Sequence, residues 1–272
     1  MADSIFQKID AIEAYATKQE KVIIEHIRSS PVKELILLSI TEFAERVHVG
    51  DATVLRFCRK LGLKGYSEFR FLLSQSSDEV APLEESDASR ILDDMIGALR
   101  ATYELIDMDQ IRRSAELILK ADRVYAFGSG NSGMAAMEFR NKVLRYGIDV
   151  VTFSDIHFQL ISTSMMKPED VVVLFSVSGQ TKDMINLAKM ARSQSVPLIV
   201  VTNYLRSPLG KYATALLNVV GRSAPLNSGS LISKVSQLYI IDVLSKAILD
   251  QKGASAEENL RKTALAVMDK EV

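Results

Sequence analysis

Short apolar runs alternate with helix-length segments over the second half of the sequence, and this alternation restricts the chain to a few folds. The runs are rich in β-branched residues and fall at 124–127, 149–152, 171–175, 198–201 and 216–220. Parallel strands need a crossover connection, which is usually a helix, so strands that alternate with helices form a parallel sheet covered on both faces. The pattern predicts an α/β fold with a doubly wound, five-stranded parallel sheet.

The N-terminal part of the chain has helical spacing and no strand pattern. A polar stretch without helical or strand rhythm, residues 74–87, follows it and is typical of a linker. With 272 residues, of which 47% are hydrophobic, the chain is long enough to bury two cores. We predict a helix-turn-helix domain at 1–77, a linker and connecting helix at 78–106, an α/β domain at 107–250 and a C-terminal helix at 251–272.

Charge and cysteine content exclude several classes of protein. The formal net charge is −1, so contact with a nucleic acid must come from a local basic patch. The single cysteine, Cys58, cannot form an internal disulfide, and the sequence has no spacing typical of zinc ligands. The N-terminus does not resemble a signal peptide, and no apolar run approaches the ~18–20 residues of a membrane span. These features predict a cytoplasmic protein without a metal or another cofactor.

The third apolar run ends in a hydroxyl-rich segment, residues 176–181 (SVSGQT). Ligands of open parallel sheets bind beyond the carboxyl ends of the strands. At such a position Gly179 lets the backbone approach a ligand, the hydroxyls donate hydrogen bonds, and a helix from about Gln180 adds free N–H groups. The combination favours an anion, most simply a phosphate. An ordinary helix cap explains this segment equally well when it is taken alone.

A similar loop follows the first apolar run. Residues 128–133 (GSGNSG) precede a helical pattern at 134–146 and match the dinucleotide fingerprint GxGxxG. Asp155, after the next strand, would then bind the ribose. A dinucleotide, however, leaves the hydroxyl-rich loop at 176–181 without a role. Two such loops fit one phosphate and several sugar hydroxyls better, so a dinucleotide-dependent enzyme is the weaker interpretation.

Residues 40–62 contain two short helical patterns that meet at a tight turn, which is the spacing of a helix-turn-helix motif. At about 100° per residue, the second helix has an apolar face and a separate polar and basic face. The apolar face consists of Val54, Phe57, Cys58 and Leu61, and the basic face of Thr53, Arg56 and Lys60. A basic face is often merely solvated, but the adjoining turn and the nearby Lys64 and Arg70 favour DNA contact.

Both halves resemble known families. The loops at 128–132 and 176–181 resemble those of the sugar isomerase (SIS) domain, a phosphosugar-binding module, and the resemblance spans residues 107–250. Residues 52–69 resemble the N-terminal domain of RpiR-type bacterial transcription regulators, whose pattern includes Ala-Thr-Val-x-Arg-Phe-Cys-Arg-Lys-Leu-Gly. One departure is Gly50, where that family commonly has a capping serine, which leaves Asp51 as the candidate cap.

The motifs and the resemblance together give two sets of expected binding residues. In SIS domains the serine of the first loop, here Ser132, and the Ser-x-Ser-Gly-x-Thr loop grip the phosphate or the sugar. The expected effector-binding residues are Ser129, Gly130, Asn131, Ser132, His157, Ser176, Ser178, Gly179, Gln180, Thr181 and Arg222. The expected DNA-binding residues are Thr53, Arg56, Arg59, Lys60 and Lys64.

A phosphosugar isomerase with an appended helical domain is the main alternative. Aldose–ketose isomerisation needs a base that moves a proton between adjacent carbons. SIS enzymes often carry a catalytic glutamate in the loop at 221–230, which contains neither Glu nor Asp in this sequence. The remaining candidates are His157, a lone histidine after the second strand, and Glu138, within a helix. We therefore expect binding without turnover, and no catalytic residue.

The order of the two domains predicts a transcription regulator that responds to a sugar phosphate. Family precedent favours a repressor of sugar or amino-sugar catabolism genes. The resemblance is strongest to the sialic-acid catabolism branch, which implies N-acetylmannosamine 6-phosphate as the effector. A helix-turn-helix monomer buries little DNA surface, so a homodimer on operator DNA is expected. Helix 230–249 is one candidate dimer surface, with the protein core as its alternative location.

Overall fold

The protein consists of two compact units that divide after Asp87. Its structure is a computed structural model that describes residues 5–75, 85–221 and 231–268. Each unit has hydrophobic clusters of its own. Among the helices of these residues, none combines the length and the apolar character that a membrane crossing requires.

The N-terminal unit is helical throughout its described residues. Its helices are α1 (Ile5–Glu13), α2 (Lys18–Ser29), α3 (Val32–Leu35), α4 (Ile40–Arg46), α5 (Asp51–Lys60) and α6 (Tyr66–Gln75). Both α2 and α4 begin with a capping box, in which Thr17 or Ser39 exchanges hydrogen bonds with a glutamate three residues later. The rings of Phe43 and Phe57 pack edge-on against Phe69 in the core of this unit.

The helices α4 and α5 form the predicted helix-turn-helix. The chain reverses at His48, which has a left-handed φ of 52°, and the N–H of Val49 donates to the carbonyl of Ala44 over 2.9 Å. Both Phe57 and Cys58 are buried, as are the other residues of the predicted apolar face, which confirms that face. Burial raises the pKa of the Cys58 thiol to about 12, so the thiol remains protonated at neutral pH.

The C-terminal unit is an α/β domain. Its helices are α7 (Glu85–Glu104), which starts in the N-terminal unit, α8 (Met108–Lys120), α9 (Asn131–Leu144), α10 (Ile156–Ser164), α11 (Lys182–Ser193), α12 (Ile232–Lys252) and α13 (Ala254–Met268). Its strands are β1 (Val124–Gly128), β2 (Val150–Val151), β3 (Val171–Phe175), β4 (Leu198–Thr202) and β5 (Ala215–Asn218), all parallel in the order β2-β1-β3-β4-β5.

Helices cover both faces of this sheet, which confirms the predicted doubly wound fold. Successive side chains of a strand point to opposite faces. In β1, Val124 and Ala126 pack in the cluster that contains α8, α9 and α12, whereas Tyr125 and Phe127 pack in the cluster that contains α11. The sheet therefore has two separate apolar layers, and each strand contributes to both.

Some element boundaries differ from the prediction. The strand β2 is shorter than the predicted 149–152, and it pairs only with β1 at the edge of the sheet. The polar stretch 74–87 is helical at both ends, since α6 continues to Gln75 and α7 begins at Glu85. Acidic residues favour the first turn of a helix, which accounts for the early start of α7. Residues 76–84 lie outside the described residues.

Helix α12 belongs largely to the core. It packs mainly against α8 and α9, and Ile241, Leu244 and Ile248 are buried in the apolar layer that it shares with them. Of the two alternatives for the segment 230–249, the structure favours the core over a dimer surface.

Candidate functional site

The two hydroxyl-rich loops lie side by side at the switch point of the sheet. The neighbours β1 and β3 continue into α9 and α11, which lie on opposite faces of the sheet. The last residue of β1, Gly128, pairs with Phe175, the last residue of β3. Both loops therefore leave the carboxyl edge of the sheet at its switch point, where open α/β sheets bind ligands.

The loop after β1 turns sharply into α9. A Cβ on Gly128 would lie 2.5 Å from the backbone of Ser132, so only glycine allows the strand to end this close to the helix. Gly130 has a φ of 57° and is the N-cap of α9. Ser129 and Asn131 are exposed on either side of it. In the first turn Ser132 is 9% exposed, so its hydroxyl lies at the bottom of the loop.

The loop after β3 has a comparable geometry. Ser176 is buried, and the hydroxyl of Ser178 accepts a hydrogen bond from the N–H of Gln180 over 3.2 Å. Gly179 has a φ of 59°, and a Cβ there would lie 2.4 Å from the side chain of Ser207. The helix begins at Lys182 with Thr181 as its N-cap, so the predicted start at about Gln180 was two residues too early.

The first turns of α9 and α11 have no side-chain cap. The N-cap of α9, Gly130, has no side chain, and the side chain of Thr181, the N-cap of α11, accepts no hydrogen bond from the first turn of its helix. The neighbouring α10 is different, because the carboxylate of Asp155 accepts the N–H groups of His157 over 2.7 Å and Phe158 over 3.4 Å. In α9 the N–H groups of Ser132 and Gly133 donate to the carbonyls of Ser129 and Gly130 over 3.1 and 3.0 Å. The start of α11, with its partially positive N–H groups and the adjacent hydroxyls, therefore favours a phosphate more than the start of α9 does. Asp155 acts as a helix cap, which argues against its role as a ribose-binding acid.

Two further predicted effector contacts lie at the margin of these loops. His157 is exposed in the first turn of α10, after β2. Arg222 lies outside the described residues. The candidate base Glu138 is exposed on α9, where it lines a surface groove with Met137 and Lys142.

Two buried glutamines that the sequence analysis missed hold the β1 loop in place. The amide of Gln159 donates to the carbonyl of Gly128 over 3.0 Å and to that of Phe153 over 2.7 Å. The amide of Gln237, on α12, donates to the hydroxyl of Ser132 over 3.2 Å. The only sequence signal for either residue is an amide at a position where the helical pattern requires burial.

The loop after β4 braces the β3 loop. The carbonyl of Val177 accepts the N–H of Asn203 over 2.9 Å and the hydroxyl of Thr202 over 3.2 Å. The N–H of Leu209 donates to the carbonyl of Gly179 over 3.0 Å. These hydrogen bonds fix the β3 loop to the loop after β4.

The predicted DNA-binding residues lie on α5 and in the turn after it. The side chains of Arg56 and Arg59 are exposed, and within the described ranges neither forms an ion pair. The guanidinium of Arg56 donates to the hydroxyl of Thr53 over 3.0 Å. Lys64 is exposed just before α6. These groups form an exposed basic face that fits the phosphates of DNA.

Lys60 differs from the other predicted DNA contacts, because its ammonium group is engaged within the protein. Its Nζ lies 2.8 Å from Oε2 of Glu20 and 3.1 Å from the carbonyl of Tyr15. Partial burial opposes ionisation of Glu20, but hydrogen bonds from Lys60 and Thr17 outweigh it and lower the pKa of Glu20. Lys60 therefore ties α5 to α2.

The start of α5 differs from the expectation that Asp51 caps this helix. Gly50 is the N-cap and provides no side-chain hydrogen bond, whereas Asp51 is the first helical residue. The carboxylate of Asp51 accepts the hydroxyl of Thr41 over 2.9 Å. Asp51 thus joins α5 to α4 instead of capping its own helix.

Comparisons with known proteins match both halves of the chain. The helix-turn-helix domain of the rpiR family matches residues 4–79, and the SIS domain matches residues 117–247. An uncharacterized HTH-type transcriptional regulator of Clostridium perfringens is 31% identical and aligns over 97% of this chain and 99% of its own length. This chain belongs to the rpiR family of transcriptional regulators.

A second relative also aligns with both halves of the chain. The HTH-type transcriptional regulator HexR of Escherichia coli is 29% identical, over 98% of this chain and 95% of its own. As a member of this rpiR family, the protein is a DNA-binding transcriptional regulator with a SIS domain.

Solved structures agree with this assignment. The Vibrio vulnificus NanR protein complexed with ManNAc-6P has a TM-score of 0.84 and 26% identity, and the match covers 99% of this chain and 100% of NanR. The sugar isomerase domain of an RpiR transcription factor from Sphaerobacter thermophilus has a TM-score of 0.60 and 21% identity, over 65% of this chain and 97% of that domain. The second match shows the fold alone.

Proposed function

We propose that a sugar phosphate binds at the switch point of the SIS domain and controls how this regulator binds DNA. The observation that carries the proposal is the pairing of two hydroxyl-rich loops, at adjacent strand ends, with two uncapped helix starts. The phosphate lies against Ser176, Ser178 and Thr181, where hydroxyls and the start of α11 converge. The sugar hydroxyls face Ser129 and the start of α9.

N-acetylmannosamine 6-phosphate is our first candidate effector. Its support is the similarity of this chain to the Vibrio vulnificus NanR protein, whose solved structure contains ManNAc-6P. His157 and Arg222 are the side chains that we propose distinguish an N-acetyl group from a hydroxyl.

On DNA we propose a repressor that acts as a pair of copies. Arg56, Arg59 and Lys64 contact the operator, and the two α5 helices occupy half-sites about one helical turn, or a multiple of it, apart. The effector releases the DNA by binding more tightly to the conformation that fits the operator poorly, since a ligand shifts only states that it binds unequally.

The test begins with the thermal stability of the full chain against a panel of sugar 6-phosphates, followed by product analysis of each stabilising compound. A ligand at about a hundred times its Kd adds about 2.7 kcal/mol to the free energy of unfolding, which is easily measured. We expect N-acetylmannosamine 6-phosphate to stabilise the protein without being converted. Duplexes selected from random DNA by the protein then serve to measure its release by the same compound.

Two variants locate the site. Ser178→Ala should lose most of the stabilisation by the sugar phosphate, whereas Ser245→Ala, the same change at a buried serine of α12, should keep it. Equal stabilisation of both variants would contradict the proposed site. Conversion of the sugar phosphate would contradict the proposed function.

A further inference from the structure

Helix α7 exposes an apolar stripe that its own unit leaves uncovered. A neighbouring side of the helix is anchored, because Ala98 and Thr102 are buried and the hydroxyl of Thr102 accepts the N–H of Val220 over 2.9 Å. The stripe consists of Leu92, which is 58% exposed, Ile96, which is 38% exposed, Tyr103, which is 68% exposed, and the partly buried Leu99. Large apolar side chains exposed together on one helix face indicate an interaction surface.

The α7 stripe has the spacing of a helix-pairing seam. Its four residues are separated by four, three and four positions, which is the alternation of a heptad pattern. Such a seam packs against another helix of the same kind. A second copy of this chain supplies one with matching spacing.

Charges beside the stripe favour an antiparallel partner. Asp93 and Arg100 are seven residues apart and lie on the same flank of the α7 stripe. Within the described parts of the chain neither has an ion-pair partner. When two identical helices pack antiparallel, the same flank of each helix meets that of its partner. Asp93 of one copy then faces Arg100 of the other, and the two-fold axis repeats this contact once.

We infer that two copies of this protein pair through α7, with the helices antiparallel. Leu92 then packs against the partner's Tyr103, and Ile96 against the partner's Leu99, while two Asp93–Arg100 pairs flank the seam. The biological use of this pairing rests on the proposed binding of two copies to DNA. The pairing itself does not depend on the effector or on an operator.

Charge reversal with the full chain, without ligand or DNA, tests the inference. Sedimentation velocity over a concentration series gives the dimer Kd of each variant. Asp93→Arg and Arg100→Asp should each raise the Kd, by roughly ten-fold or more, because each puts like charges together at two symmetric contacts. The double variant D93R/R100D restores opposite charges and should return the Kd to within about three-fold of the unchanged protein.

A second pair of variants tests the apolar seam. Ile96→Glu should abolish dimers at micromolar concentration, whereas Ile161→Glu, at an exposed isoleucine of α10, should leave the Kd unchanged. Equal thermal stability of these two variants would show that the loss is not due to misfolding. A monomeric unchanged protein, single reversals without effect, or a double variant as weak as the single ones would overturn the inference. None of these results depends on whether a sugar phosphate binds.

Discussion

The buried amide of Gln237 and the hydroxyl of Ser132 are joined by a hydrogen bond of 3.2 Å across 105 positions of the sequence. The bond connects the first turn of α9, which faces the proposed sugar hydroxyls, to α12. A serine hydroxyl otherwise rotates freely. Gln237 therefore acts as a positioning residue for one of the proposed effector-binding groups.

Replacing Gln237 with Leu should weaken effector binding more than it weakens the fold. The change leaves the Ser132 hydroxyl without its donor, which lowers the free energy of unfolding. It also removes a buried amide oxygen that has no partner within the described chain, which offsets part of that loss. We expect the Kd of the stabilising sugar phosphate to rise about ten-fold, which is the worth of one good hydrogen bond. Calorimetric titration of the variant with the sugar phosphate measures this Kd. The control is Gln194→Leu. Gln194 lies at the C-terminal end of α11, and its side-chain amide donates a hydrogen bond to the carbonyl of Thr163 that this change removes.

Elements that depend on the local pattern of apolar residues could be predicted from the sequence. Contacts between residues that are distant in the sequence could not. The β-branched runs located β1 and β3, and helical spacing located the buried face of α5. The partners of Lys60 and Ser132 lie 40 and 105 residues away, so no local pattern indicates them. For Lys60, periodicity gave the correct face of the helix but could not show that Glu20 lies beside it.

Arg59→Ala should weaken DNA binding without altering the fold or effector binding. The guanidinium is exposed and has no ion-pair partner in the described residues, so its removal exposes no buried charge. If it contacts one phosphate, the slope of log K against log salt concentration should fall by about one. Fluorescence anisotropy at several salt concentrations measures this slope. Unchanged affinity and slope would place Arg59 outside the DNA interface.

Lys60→Met should instead reduce stability. It removes the ammonium partner of Glu20, a carboxylate whose side chain is only 12% exposed. We expect a loss of about 1 kcal/mol in the free energy of unfolding, because the lysine is partly solvated. Urea unfolding measures this loss, and the double variant E20Q/K60M should recover most of it. A large fall in DNA affinity with unchanged stability would contradict the assignment of Lys60 to the fold.

The stability of the N-terminal unit should fall as the pH drops below neutrality, because of His26. Burial, and secondarily the charge of Arg46, lowers the pKa of His26 below the ordinary value of 6.5. The unfolded chain therefore binds a proton at a higher pH than the folded chain does. The stabilisation is fully present above pH 6.5, and it is lost as the pH falls through the folded pKa.

The variant His26→Leu isolates this effect. The leucine cannot titrate and keeps the apolar contact with Phe43, against whose ring the imidazole packs edge-on at 5.7 Å. Its free energy of unfolding should change less between about pH 7 and pH 5 than that of the unchanged protein. Urea unfolding at half-unit pH steps compares the two profiles. Parallel profiles would mean that carboxylates, and not His26, set the pH dependence in this window.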